Sequence, residues 1–242
     1  MRRPVPVTDI WTYLSEGPLV WLTATILAYM VGDALFRASG GRPLVNPVLI
    51  AIVLLSALLL STGTAYGTYF EGAQFVHFLL GPSTVALALP LFENRRHVMR
   101  TALPMAVALV AGSLVSMLLG LGIGWVLGLR GISLLSLGPK SATSPIAIGV
   151  AEQIGAAPSL TAALVILTGI FGAVTVTPLF NLLRVRDYRA RGFAAGAITS
   201  GIGTARALQV NPTAGAFAGV GMGLNALFTA LAAPYVIPWI FG

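Results

Sequence analysis

Four stretches of this chain contain no charged residue, and each is longer than the roughly 20 residues that a helix needs to cross the hydrocarbon core of a bilayer. Of all residues, 57% are hydrophobic and only 9% are charged, whereas about 25% of the residues of a soluble globular protein are charged. A water-soluble fold cannot bury so much apolar surface, so the chain is predicted to be an integral membrane protein. The four stretches cover residues 43–70, 101–129, 153–183 and 207–242.

Two further apolar stretches each contain one titratable residue. Residues 18–36 contain Asp33, and residues 72–92 contain His77. Continuously apolar runs such as 49–55 favour helices, because the strands of membrane barrels alternate polar and apolar residues. The predicted fold is all-α and polytopic, with about seven transmembrane segments, in a range of roughly six to eight.

The predicted domain organisation is simple. Residues 1–17 are expected to form a short interfacial segment, because prolines and acidic residues follow Arg2 and Arg3 before any apolar run begins. A tryptophan and a tyrosine in this segment suit the headgroup region. Residues 18–242 are predicted to form a single transmembrane domain.

Two clusters of basic residues, at 95–100 and 184–191, set the expected topology. Basic loops of membrane proteins lie mostly on the cytoplasmic side, so an even number of crossings must separate the clusters. The stretches 101–129 and 153–183 supply two crossings, and residues 131–152 lie between them. We therefore expect residues 131–152 either to re-enter from one side or to form a broken segment whose halves do not make a simple span.

The segment 138–145 combines a lysine, three hydroxyl side chains and two prolines in apolar surroundings. The prolines disfavour a continuous helix, and unwound backbone at membrane depth occurs where it is buried in protein or lines a wet cavity. Hydroxyls and free amides beside a positive charge can bind an anion. The alternative is a loop whose lysine reaches the lipid headgroups. The candidate ligands are Lys140, Ser141, Thr143 and Ser144.

The segment 199–206 repeats this combination of a helix break, hydroxyls and one cation. Gly201 and Gly203 are expected to break the helix, and Arg206 is the only charged residue after residue 191. An arginine inside the membrane marks a functional site by default, and its planar side chain can bind a carboxylate through two hydrogen bonds. The alternative is an arginine in a water-facing turn at residues 211–212. Ser200 and Thr204 complete the candidate site.

A third break is predicted at residues 81–90, where Ser83 and Thr84 follow a Gly-Pro pair. These two hydroxyls are candidate ligands as well. The likeness of this segment to residues 138–141 suggests an internal repeat of the kind that brings broken helices together in secondary transporters.

Signals for enzyme chemistry are absent from the sequence. His77 and His97 have no partner at metal-ligand spacing, and the glutamates do not pair at helical spacing. We therefore expect no catalytic residues, no metal and no cofactor. The net charge of +7 comes from basic residues scattered between apolar runs, which does not indicate a nucleic-acid partner.

Four blocks of residues, in order, resemble the signature blocks of the LrgB/CidB family. The resemblance implies a multi-pass protein of the bacterial inner membrane, antiholin-like or holin-like, linked to murein hydrolase export and autolysis. It also implies likeness to the C-terminal half of the plastid glycolate/glycerate transporter, and a small membrane partner of the LrgA/CidA type. The blocks are residues 80–91, 139–147, 201–207 and 215–219.

One position departs from the family pattern. Members commonly carry a histidine where this chain has Ser200. A serine does not titrate near neutral pH, so any proton coupling that the histidine supports is in doubt here.

Two functions remain open from the sequence. The first is transport of a small monocarboxylate such as glycolate, glycerate or pyruvate, with Lys140 and Arg206 as charge partners and the hydroxyls as ligands. The second is a regulator of membrane permeability that acts with an LrgA/CidA-type partner. A homo-oligomer in the lipid bilayer is compatible with both.

Overall fold

The computed structural model describes residues 17–42, 45–79 and 95–241, together with residues 82, 85 and 92. The chain divides into two compact units, Met1–Ser83 and Thr84–Gly242, and each is described here by itself. The predicted interfacial segment falls outside the described residues except for Gly17. The assignment of residues 18–242 to one transmembrane domain stays a prediction.

The first unit contains three described helices, of which α1 packs against both others. Asn46 caps α2 by accepting hydrogen bonds from the amides of residues 48 and 49. The predicted span over residues 43–70 is not one continuous helix, because Gly63 has a φ of 66° and ends α2. This left-handed conformation is open to glycine at little cost, and it stops a helix. The helices are α1 (Pro18–Ala38), α2 (Pro47–Thr62) and α3 (Tyr66–Phe78).

The second unit contains long helices separated by shorter and interrupted ones. The predicted spans 101–129 and 153–183 each correspond to one helix of 25 residues. The helices are α4 (Arg95–Arg100), α5 (Ala102–Val126), α6 (Gly131–Leu135), α7 (Ser144–Gln153), α8 (Pro158–Leu182), α9 (Tyr188–Val210) and α10 (Pro212–Phe241).

Four helices in the described part of the chain, α1, α5, α8 and α10, are long and apolar enough to cross a membrane. Large apolar side chains project outward from them, among them Leu103 of α5 and Trp239 of α10, which are 77% and 85% exposed. Such a surface requires an apolar solvent. The protein is an all-α membrane protein, and the total of about seven spans stays a prediction.

Residues 131–153 form a first helical hairpin rather than a span. The loop after α6 and the loop before α8 meet, because the Ala157 amide donates to Ser136 Oγ at 3.0 Å and Thr161 Oγ1 donates to the Ser136 carbonyl at 3.3 Å. The returning arm, α7, has 10 residues and is only about 15 Å long. The interruption expected here is present. The chain folds back, so that the start of α8 lies beside the end of α6.

A second helical hairpin is formed by α9. Its backbone leaves helical geometry at Ser200, where φ is 50° and ψ is −144°. Ala195 then packs with Ala207, and Tyr188 and Val210, the two ends of α9, line one small cavity. In a continuous helix these two ends would lie about 33 Å apart, so the two halves of α9 run antiparallel.

The second break was expected at Gly201 and Gly203, and it lies at Ser200 instead. Gly203 stays helical and has another role, because a Cβ at this position would collide with the side chain of Thr199. The absence of a side chain at Gly203 thus lets the first turn of the second half pack closely against Thr199, at the end of the first half.

The two hairpins open at opposite ends of α8, since the first precedes Pro158 and the second follows Leu182. Their tips meet α8 near its middle. Ala142 of the first hairpin shares a buried apolar cluster with Val165, and a Cβ at Gly169 or Gly172 would touch Thr199 of the second. The unit is therefore a bundle of long helices with two half-length hairpins whose tips approach each other.

This geometry makes a prediction about topology. If the first hairpin returns to the side from which it starts, only α5 and α8 cross between the two basic clusters. A cysteine at Arg100 and one at Arg186 should then react with an impermeant thiol reagent from the same face of the membrane, and a cysteine at Arg130 from the opposite face. The natural chain has no cysteine, so single substitutions suffice. Labelling of Arg100→Cys and Arg186→Cys from opposite faces would show that the first hairpin crosses.

Candidate functional site

The tip of the first hairpin places Lys140 against the middle of α5. Its Nζ donates to the Ser116 carbonyl at 3.2 Å, to Ser116 Oγ at 3.1 Å and to Ser141 Oγ at 3.4 Å. Ser116 lies ten residues before Val126, the end of α5, which is about 15 Å along the axis. Lys140 therefore points into the bundle, and the alternative of a lysine that reaches the headgroups does not describe this structure.

A glycine on α5 makes room for this lysine. A Cβ at Gly120 would lie 2.7 Å from Lys140 Cε. Among the residues that the structure describes, the ion pairs join Asp33 with Arg37 and Asp187 with Arg189. The described partners of Lys140 are thus neutral oxygens, and a cation in this position can interact strongly with an anion.

A buried polar network holds the tip in place. Ser113 Oγ donates to Asn225 Oδ1 at 2.6 Å, and Asn225 Nδ2 donates to the Ser141 carbonyl at 2.9 Å. The hydroxyls of Ser116 and Ser141 are 2.9 Å apart and share a hydrogen bond. Asn225 is 2% exposed, so its hydrogen bonds join α5, α10 and the first tip inside the protein.

Sequence reasoning missed Ser113, Ser116 and Asn225. Each is a single polar residue within an apolar helix, where a small hydroxyl or amide is compatible with ordinary packing. Asn225 carried the stronger signal, because an asparagine in the middle of a spanning helix must find a hydrogen-bond partner.

The buried network makes a stability prediction. Asn225→Ala leaves the Ser141 carbonyl and the Ser113 hydroxyl without their partner, so the free energy of unfolding should fall by about 1–3 kcal/mol. Thr175→Ala is the matched control, because the Thr175 hydroxyl donates only to Phe171 of its own helix. Thermal unfolding in detergent micelles measures both, and equal losses in the two variants would contradict a tether at Asn225.

The end of the first tip offers further donors. Thr143 is the N-cap residue of α7 and makes no side-chain capping bond. Its Oγ1 is buried and has no hydrogen-bond partner among the described residues. Ser144 begins α7, so the positive end of this helix dipole lies at the tip. The predicted ligands Lys140, Ser141, Thr143 and Ser144 are thus brought together in one loop.

The tip of the second hairpin approaches the same part of α10. Ser200 is buried, and its carbonyl accepts a hydrogen bond from Thr204 Oγ1 at 2.8 Å. Thr204 Oγ1 also lies 3.7 Å from Met222 Sδ. Met222 precedes Asn225 by three residues, or about 4.5 Å along the helix. Both tips therefore contact α10 within one helical turn.

Arg206 lies further from the tip than the sequence suggested. It is six residues beyond Ser200, about 9 Å back along the second half of α9. Its Nη1 donates to Gln209 Oε1 at 3.4 Å, whereas the described partners of Lys140 lie on α5 and in its own loop. Arg206 is part of the helix, which ends at Val210, and the turn that the alternative invoked begins only at Asn211.

The remaining predicted ligands, Ser83 and Thr84, lie outside the described residues, as does most of the third predicted break at 81–90. The likeness of that segment to residues 138–141 therefore stays a prediction.

Comparison with known proteins identifies the family. The model of the LrgB-like family matches residues 25–239. The chain belongs to the LrgB-like family. This confirms the resemblance seen in the sequence blocks. No solved structure matches the chain.

Relatives of this LrgB-like protein match it over almost its whole length. It is 32% identical to the uncharacterized protein YxaC of Bacillus subtilis over 92% of this chain and 96% of the relative. It is 31% identical to YwbG of the same organism, over 92% of this chain and 98% of the relative. The holin-like protein CidB of Staphylococcus epidermidis is 26% identical over 90% of this chain and 95% of that protein.

Proposed function

We propose that this LrgB-like protein is a holin-like membrane protein that controls the passage of small solutes across the inner membrane of a bacterium. The similarity to the holin-like protein CidB over 90% of the chain supports this function. By the family resemblance, the physiological outcome is control of murein hydrolase export and autolysis, in an antiholin-like or holin-like sense. A small membrane protein of the LrgA/CidA type is the proposed partner.

A second candidate function, selective transport of a small monocarboxylate, is favoured by one observation. Lys140 lies at half the height of α5, at a hairpin tip that is approached by a second tip from the opposite end of the bundle. Secondary transporters bind their substrates near the middle of the membrane, where half-helix ends converge. In this proposal the carboxylate of glycolate, glycerate or pyruvate accepts hydrogen bonds from Lys140, Ser141 and Thr143.

The second hairpin supplies the other side of this proposed pathway. Its second half begins after Ser200, so its positive helix end also faces the centre. Arg206 lies along that half and would meet an anion that leaves the centre along the hairpin. The serine at position 200 does not titrate near neutral pH, so the proposal includes no proton coupling through this residue.

One experiment separates the two candidates. Proteoliposomes that contain only the purified protein are tested for flux of labelled glycolate and of glycolamide, an uncharged analogue of almost the same size. Saturable flux of glycolate with little flux of glycolamide indicates a selective transporter. Equal flux of both indicates a holin-like pore. Flux that starts only when an LrgA/CidA-type partner is added indicates a regulator of permeability, and no flux under either condition contradicts both proposals.

A further inference from the structure

A basic cleft lies at the base of the second hairpin, between the end of α8 and the start of α9. Its volume is about 550 Å³, within the range of small-molecule sites. Three of its lining residues are arginines, and no acidic residue is among those that line it. The lining residues are Phe180, Asn181, Arg184, Val185, Arg186, Tyr188 and Arg191.

Asp187, which lies between Arg186 and Tyr188 in the chain, is not among the residues that line the cleft. Asp187 caps α9 and accepts hydrogen bonds from Arg189 Nε and Nη2 at 3.1 and 2.8 Å. These hydrogen bonds keep the pKa of Asp187 below its usual range, so the carboxylate stays ionised at neutral pH and neutralises Arg189. The three arginines of the cleft keep their positive charge available for a ligand.

One of the arginines is fixed in place before any ligand binds. The Arg191 guanidinium donates to the Thr177 carbonyl and to Asn181 Oδ1. It also lies 5.6 Å from the ring centroids of Phe180 and Tyr188, within cation–π distance. A guanidinium ordered in this way loses little conformational entropy when it binds an anion.

A second arginine occupies a position that favours glycine. Arg184 has a φ of 56° and closes α8 with two bonds, from its own amide to the Asn181 carbonyl and from the Val185 amide to the Phe180 carbonyl. This is a Schellman motif, in which the left-handed residue is usually glycine. An arginine kept in a strained conformation suggests that its side chain has a role of its own.

The surroundings of the cleft indicate which kind of molecule carries the anion that would bind there. The last turn of α8 and the residue after it expose Leu179, Leu182 and Leu183, which are 49%, 79% and 61% exposed. An exposed apolar surface thus lies directly beside a cluster of arginines, at the end of a helix that is long enough to span a membrane. This arrangement fits a lipid, with acyl chains on the leucines and a phosphate on the arginines.

The geometry points to a binding site for the phosphate of an anionic phospholipid headgroup in this cleft. Arg184 and Arg186 hold the phosphate from the α8 side, and Arg191 holds it from the first turn of α9. The lipid bridges the end of α8 and the base of the second hairpin and stabilises their contact. The arginines therefore do more than set the orientation of the chain, and the site does not depend on which solute the protein lets pass.

The test uses the full-length protein in nanodiscs of phosphatidylcholine, alone or mixed with phosphatidylglycerol. Phosphatidylglycerol should raise the melting temperature of the wild type, and Arg184→Gln/Arg186→Gln should lose most of this shift. Binding of phosphatidylglycerol, measured by native mass spectrometry, should weaken roughly fivefold for each arginine removed. Arg95→Gln/Arg100→Gln, which removes the same charge from another basic cluster, should keep the full shift.

A second variant separates lipid binding from folding. Arg184→Gly removes the side chain but relieves the left-handed backbone. It should melt no lower than the wild type in phosphatidylcholine and should still bind phosphatidylglycerol more weakly. Equal losses of the shift in both double variants, or no shift in the wild type, would overturn the site. A shift of the same size with inorganic phosphate in phosphatidylcholine nanodiscs would overturn the assignment to a lipid.

Discussion

Replacement of Lys140 by glutamine should reduce the flux of glycolate into proteoliposomes by roughly 10- to 100-fold, the effect expected when a charged hydrogen bond to a carboxylate is lost. Glutamine can still donate to Ser116, so the tip should stay tethered to α5. Flux of the neutral glycolamide should change little. The measurement is the initial rate of uptake of both labelled solutes over a range of concentrations.

Arg130→Gln is the matched control for this variant. Arg130 is an exposed cation just beyond the end of α5, where its guanidinium lies 4.9 Å from the ring centroid of Trp125. Its removal takes away the same formal charge without touching the hairpin tip. A wild-type glycolate rate in Lys140→Gln would show that the carboxylate does not bind at this lysine. Equal reductions in both variants would mean that overall charge, rather than the site, controls anion flux.

The long helices could be predicted from the sequence because charge and apolarity alone define them. The stretches 18–36, 101–129 and 153–183 each correspond to one helix. The stretch 43–70 does not correspond to one helix. Its composition is uniformly apolar, and the break at Gly63 depends on a backbone angle that apolarity does not reveal. Hydropathy locates apolar segments, but it does not show whether a segment is one helix or two.

The hairpins were predicted only in part. The positions of the basic clusters argued that residues 131–152 do not cross, and the structure shows a fold-back with Ser136 beside Ala157. For the second hairpin the sequence predicted a break but not a reversal. The reversal depends on the left-handed conformation of Ser200, which few residues other than glycine adopt. The two glycines beside it drew attention to the right segment but not to the right residue.

The candidate site was also predicted only in part. Lys140 and Ser141 were predicted because a charge among prolines is conspicuous in an apolar chain. Their partners Ser116 and Asn225 lie 24 and 84 residues away from these two, and only the tertiary structure brings them together. Arg206 was expected at the same site. The reversal at Ser200 instead places it six residues from the tip, along the second half of α9.

The order of elements suggests a repeat different from the one seen in the sequence. Helices α5 and α8 have the same length, 25 residues, and each is followed by one hairpin. Because α5 and α8 run in opposite directions, the two helix-and-hairpin units would be related by inversion. Inverted repeats of this kind underlie alternating access in secondary transporters, and this relation stays a prediction for the present chain.

The second hairpin depends on close contact between α9 and α10, and a single methyl group should disrupt it. A Cβ at Gly196 would collide with the backbone carbonyl of Ala218, which is fully buried and cannot rotate away. Gly196→Ala should therefore lower the free energy of unfolding by about 2 kcal/mol, although alanine favours a helix by about 1 kcal/mol over glycine. Thermal unfolding in detergent micelles gives the stability, and glycolate flux should fall with it.

Gly219→Ala makes this test specific, because a Cβ at Gly219 would meet no atom of another described element within 4 Å and the residue lies in the partner helix. Both variants gain the same helix propensity and add the same volume, so any difference between them reports the contact with Ala218. Gly219→Ala should match or exceed the wild type in stability. If Gly196→Ala were as stable as Gly219→Ala, α9 and α10 would have room to separate. The contact between Gly196 and Ala218 would then not determine how the second hairpin packs on α10.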